Sequence, residues 1–130
     1  MKTYTLTEAL ALPAGRDLDA CVAEHVFEWI KEDRSWHGRP FTVFYPKDLP
    51  GEANILAWTL DDKRWPHYST SWADAGPLLE VMSCVKIYHD KRCNDWICFW
   101  SETDCKIAET PQLAICRAAL VWASERGKKL

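Results

Sequence analysis

The run from Thr110 to Ala123 constrains the fold most. Thr110 offers a side-chain oxygen for a helix N-cap, and Pro111 suits the first helical position, where an N–H would go unpaired anyway. Beyond them Ile115, Cys116, Ala119, Leu120, Trp122 and Ala123 recur at helical spacing and make a wide apolar stripe. Arg126, Lys128 and Lys129 suit the negative end of a helix, and Gly127 suits its stop. A helix with so broad an apolar face needs other elements packed on it, and the rest of the chain is read for what supplies them.

A second amphipathic run spans Pro13 to Lys31. Leu18, Val22, Val26 and Trp29 fall on one stripe, while Asp17, Asp19, Glu24 and Glu28 lie elsewhere and stay in water. Pro13, Ala14 and Gly15 mark its entry, with Asp17 and Asp19 where a helix start favours negative charge. Before it, Thr7 to Leu10 fits one helical turn leading to Pro13. After it, Glu32 to Ser35 reads as a polar exit and Trp36 to Pro40 as a loop broken by Gly38 and Pro40. Phe41 to Tyr45 reads as a short strand, Pro46 to Glu52 as a loop, Asn54 to Thr59 as a strand and Asp61 to Arg64 as a charged turn.

Trp65 to Tyr68 leads into a further helix with Trp72, Ala75, Leu78, Leu79 and Met82 on its apolar side. Ser69 or Ser71 caps it, with Asp74 three residues beyond Ser71 in a capping-box relation. Gly76-Pro77 interrupts the pattern. Either the helix kinks there, or a first turn precedes a helix that begins at Pro77. Cys84 to His89 alternates as a strand does, Asp90 to Asn94 is a turn, and Trp96 to Trp100 is a second strand, apolar on both faces and therefore central. The two form an antiparallel hairpin, and Cys105 to Ile107 adds a short third strand. The expected fold is a single α+β domain over residues 1–130, a mainly antiparallel sheet between helices, with the first and last helices side by side or flanking one sheet.

Composition excludes several classes. Net charge is −3, which argues against a nucleic-acid binder working through overall positive charge. No apolar run approaches the roughly 20 residues of a membrane helix, and Met1 to Leu10 lacks the apolar centre of a signal peptide. These readings place the protein in the cytoplasm, away from membranes. The six cysteines are read as reduced thiols, since Cys21 and Cys116 fall in helical patterns and Cys84 and Cys98 in strands, where a small apolar residue is ordinary.

Candidate chemistry is sparse. Cys93, Cys98 and Cys105 near His89 lack the paired short spacing of a structural zinc site, so no metal and no cofactor is expected. No pattern joins Cys84 or Cys93 to His67 or His89 as a nucleophile–base pair. The segment Tyr68-Ser69-Thr70 lies just before a helix, where free N–H groups and hydroxyls suit an anion. Arg117 beside the last apolar stripe suits bidentate phosphate contact. Of eight tryptophans, Trp58, Trp65, Trp96 and Trp100 are candidates to stack on a ring. The expected ligand-binding set is Tyr68, Ser69, Thr70, Trp96 and Arg117, with no catalytic residue.

Three stretches carry a family resemblance. They are Leu12-Pro13-Ala14-Gly15-Arg16-Asp17-Leu18-Asp19 with Val22-Ala23-Glu24 and Trp29, then Tyr68-Ser69-Thr70 before a helix, then Thr110-Pro111 with Ala114-Ile115-Cys116-Arg117-Ala118-Ala119-Leu120. In order and spacing they resemble the phage ABA sandwich domain, a family of small bacteriophage and prophage proteins. The resemblance covers both ends and the middle, has no counterpart for Arg34 to Trp65, and departs from the family at Gly76-Pro77. It implies a sheet held between helices and a phage context in a host cytoplasm, and it carries no settled activity. With the tryptophan excess and the Ser/Thr-rich helix start, it points to a non-enzymatic accessory protein. Such a protein would bind a small anionic ligand, such as a nucleotide, or a host protein in counter-defence. The alternatives are a small hydrolase or nucleotide-modifying enzyme using His67 or a cysteine, and a structural subunit whose exposed aromatics form a homo-oligomer interface.

Overall fold

The computed structural model describes residues 4–45 and 66–126. In chain order these form α1 (Leu6–Leu10), α2 (Arg16–His25), β1 (Ile30–Trp36), β2 (Arg39–Tyr45), α3 (Trp72–Val81), β3 (Lys86–Asp90), β4 (Asp95–Phe99), β5 (Cys105–Ala108) and α4 (Pro111–Glu125). The described chain is thus a mixed α+β fold with antiparallel sheets. One pairs β1 with β2; the other runs β3-β4-β5, with β4 central as its two apolar faces require. The strand read at Asn54 to Thr59, the loop at Pro46 to Glu52, the turn at Asp61 to Arg64 and the helix stop at Gly127 lie outside the described residues.

The last helix starts as its sequence dictates: Thr110 Oγ1 accepts from the Leu113 N–H at 3.2 Å, and Pro111 occupies the first turn. Nine of its 15 residues are buried, and together they point almost all the way round the axis. The half-exposed Arg117, Val121 and Ser124, four and three residues apart, leave one narrow stripe toward solvent. A helix buried over most of its circumference belongs inside the protein rather than on its surface. Accordingly α4 packs against β3, β4 and β5 and also against α1, α2 and α3. Ala114, Ala118, Ala119 and Ala123 keep its surface thin, which lets those neighbours approach closely. Leu18, Val22, Leu78, Met82, Leu113, Ile115 and Leu120 are all but inaccessible and form the centre of the core. The first and last long helices therefore do pack side by side.

At the N-terminal end the expected single turn is α1, closed by a capping box in which Thr5 Oγ1 accepts from the Glu8 N–H and the Glu8 carboxylate accepts from the Thr5 N–H. The helix expected over Pro13 to Lys31 is shorter at both ends. It stops at His25, where the chain turns through Glu28 in the left-handed region (φ 58°) and the Trp29 N–H reaches back to the Ala23 carbonyl at 2.9 Å. Val26 and Trp29 still meet the core, Val26 from the cap and Trp29 from beyond the helix. The released chain enters β1, so the polar exit at Glu32 to Ser35 is strand and the loop at Trp36 to Pro40 shrinks to the two residues His37 and Gly38. Both have positive φ (50° and 77°), as a type I′ turn between twisted strands requires.

α3 runs unbroken through Pro77 from Trp72 to Val81. Ser71 occupies its N-cap position without a side-chain cap bond; the Asp74 carboxylate instead accepts from the His67 N–H at 2.8 Å. Its C-terminus is a Schellman motif: Ser83 takes the left-handed conformation (φ 50°), its N–H bonds the Glu80 carbonyl, and the Cys84 N–H bonds the Leu79 carbonyl. Among the described residues no helix is long and apolar enough to cross a membrane.

Candidate functional site

The candidate residues fall in two places. The first lies at the start of α2. Gly15, whose backbone (φ 156°, ψ −171°) suits a residue without a side chain, donates its N–H to Ser69 Oγ at 2.9 Å, and that hydroxyl donates back to the Gly15 carbonyl at 3.4 Å. The Ser69 N–H donates to Asp19 Oδ1 at 2.8 Å, with both residues buried. Tyr68, also buried, stacks on Phe27 with ring centroids 5.4 Å apart. Thr70 and His67 are exposed. Here Ser69 ties the lead-in of α3 to the start of α2, and its hydroxyl and N–H are both engaged with protein. Burial pushes the Asp19 carboxyl above its ordinary range, against the opposing pull of its hydrogen bonds from Ser69.

The reading that Asp19 faces water is therefore corrected. It is one helical residue from Leu18 on the core side, and the group that needs its oxygen lies 50 positions away in the chain. No local pattern could reveal that partner.

The second place lies between β5 and α4. Two residues, Glu109 and Thr110, separate the strand from a helix that runs back along it. Two turns into that helix, Arg117 comes within reach of Ile107 on the strand. Its Nη1 donates to the Ile107 carbonyl at 3.1 Å. Its Nε is buried and has no hydrogen-bond partner among the described residues. The guanidinium is thus fixed at one corner and keeps further donors. It lines an open cavity of about 370 Å³ together with Leu10, Cys105, Lys106 and Ile107. Two cations thus stand beside a mainly apolar, solvent-open wall. Lys106 and Leu10 were not anticipated. Each is an ordinary residue in its own element, and only the return of α4 along β5 brings them to Arg117.

Trp96 stands apart from this cavity's described lining. It lies on β4 opposite Ala108, packs against the core and tilts against His89 with ring centroids 5.3 Å apart. Trp29 and Trp100 also pack on the core and Trp122 lies in it, whereas Trp36 and Trp72 are exposed. Trp58 and Trp65 fall outside the described residues. The structure therefore brings Tyr68 and Ser69 together at one place and sets Arg117 at another, with no shared partner among the described contacts.

All six cysteines are free thiols. Burial raises Cys21 to about 12 and pushes Cys98 and Cys116 higher still, which disfavours the free thiolate at each. His89 Nε2 contacts Asn94 Oδ1 at 3.0 Å, and neither His67 nor His89 hydrogen-bonds a cysteine among the described residues. Nor does any group of three or more His, Cys, Asp or Glu side chains among the described residues converge on a point where a metal would sit. Comparison with protein-family models, with curated proteins and with solved structures returns no match.

Proposed function

We propose that this chain is a small non-enzymatic binding protein of a phage or prophage, and that it takes a small anionic ligand of nucleotide size between β5 and α4. The observation that carries the reading is Arg117, anchored through Nη1 to the Ile107 carbonyl and set beside Lys106 at an opening of about 370 Å³. A guanidinium held in place loses little freedom on meeting phosphate and presents paired donors to it; the ammonium adds a second positive charge. Leu10, Ile107 and Cys105 supply apolar wall for a ring. The phage context rests on the three sequence stretches that resemble the phage ABA sandwich domain, and the counter-defence role, with a host cytoplasm as its setting, rests on that context in turn.

Calorimetric titration with nucleoside mono-, di- and triphosphates tests the proposal. Saturable binding is expected, weakening as salt rises because the attraction between charges is screened. Arg117→Ala is expected to weaken it by ten-fold or more, and Lys106→Ala by less. No heat with any nucleotide, together with an empty pulldown from host lysate, would remove the proposal.

A further inference from the structure

We propose that Cys84 and Cys98 are a reversible dithiol–disulfide pair that a small-molecule disulfide, such as oxidised glutathione, converts to an intramolecular bridge. Their sulfurs lie 3.8 Å apart although the residues are 14 positions apart in the chain. Two different elements hold them there. Cys84 is the last residue of the Schellman turn that ends α3, fixed by its N–H to the Leu79 carbonyl; Cys98 lies in the middle of the central strand β4. The following Val85 N–H bonds the Phe99 carbonyl at 3.0 Å, which clamps the two backbones at the level of the thiols.

The hydrogen bonds assign the two sulfurs different parts. Cys84 has two carbonyl acceptors within reach, those of Phe99 at 3.3 Å and Lys86 at 3.4 Å. With its single proton on either carbonyl, its sulfur is left to accept across the 3.8 Å sulfur–sulfur contact. Exposure differs in the same sense: Cys84 is half-exposed and Cys98 fully buried. An oxidant therefore meets Cys84 first, with the Cys98 sulfur 3.8 Å behind it.

The chemistry balances in two exchanges. Cys84 gives its proton to water and its sulfur attacks one sulfur of oxidised glutathione. The reagent's S–S bond breaks, and one glutathione leaves as thiolate. The Cys98 sulfur then attacks the Cys84 sulfur as its proton passes to solvent, and the second glutathione leaves. Two protein thiols are oxidised to one disulfide while one molecule of oxidised glutathione is reduced to two thiols. Among the described contacts no other two sulfurs are in hydrogen-bond reach of each other. Cys93 is exposed on the β3–β4 turn with its thiol toward the Asp90 carbonyl, and Cys21 and Cys116 are buried on helices.

The test treats the full chain with glutathione redox buffers, quenches with an alkylating agent and maps the peptides by mass spectrometry. Circular dichroism confirms that the protein stays folded. Joint loss of alkylation at Cys84 and Cys98, with a peptide linking them and reversal by reduced glutathione, is the expected result. Cys84→Ser, at a partly exposed position on the edge of the core, is expected to abolish the link, and Cys93→Ser to leave it intact. A folded protein carrying a stable glutathione adduct at Cys84 beside a free Cys98 would overturn the proposal. So would a bridge to Cys93 or Cys105, or no reaction at either thiol.

Discussion

Asp19 shows how much a single buried group can govern. Its carboxylate accepts the Ser69 N–H, and Ser69 in turn satisfies both polar groups of Gly15. Burial disfavours the charged form, so the folded-state pKa lies above the ordinary 3.8. An acid that binds its proton more tightly in the folded state than in the unfolded chain contributes most below its unfolded pKa. That contribution falls as pH rises through the folded-state value. Asp19→Asn keeps an oxygen for the Ser69 N–H and removes the charge. Its stability relative to the parent is therefore expected to improve as pH climbs from about 4 toward neutrality. Denaturant titrations of the two proteins across that range measure the effect, and parallel pH profiles would contradict it. Asp19→Ala strands the Ser69 N–H and is expected to cost about 1–3 kcal/mol at low pH, where the carboxyl contributes most. The sequence pattern around Leu18 places Asp19 one residue off the apolar stripe and says nothing of Ser69. Long-range polar pairing of this kind is invisible to periodicity.

At the level of elements, legibility follows how much of the stabilisation is local. Thr110-Pro111 announces the start of α4, and the alternation of Cys84 to His89 announces β3, because a cap and a pleat are written within a few residues. β1 was hidden for the opposite reason. Its residues Lys31 to Ser35 are mostly charged, and what makes them a strand is the partner: Thr42 Oγ1 donates to Asp33 Oδ1 at 2.8 Å and the Tyr45 hydroxyl to Glu32 Oε2 at 2.7 Å. The usable signal was His37-Gly38, two residues between a tryptophan and an arginine that pair directly across the hairpin. The ends of α2 and α3 were harder still, since each is closed by a non-glycine residue in the left-handed region, Glu28 and Ser83. That conformation is unfavourable for a residue with a side chain. Ser83→Gly is therefore expected to stabilise the protein by about 0.5–1 kcal/mol, net of the extra freedom glycine gives the unfolded chain. Urea unfolding should show a higher midpoint at an unchanged slope; an unchanged or lower midpoint would mean that Ser83 carries no strain.

For the molecule as a whole, α4 is the member that the three-stranded sheet and the other three helices share. The β3–β5 sheet and α1, α2 and α3 all pack on it, and its one half-exposed stripe carries Arg117. A helix already held on its other sides is a stiff platform, so a guanidinium projecting from it is positioned before any ligand arrives. The bland alternative for Arg117 is a surface side chain that bonds the Ile107 carbonyl and does nothing more. The lead-in of α3, tied to the start of α2, offers the competing location for an anion, at Thr70 and His67, although the buried Asp19 carboxylate stands close behind it. Amide NMR of the labelled protein, titrated with a nucleoside triphosphate, separates the three. Saturable shifts are expected at Leu10, Cys105, Lys106, Ile107 and Arg117, abolished in Arg117→Ala. Shifts confined to His67 through Thr70, or no saturable shift anywhere, would contradict the proposed site.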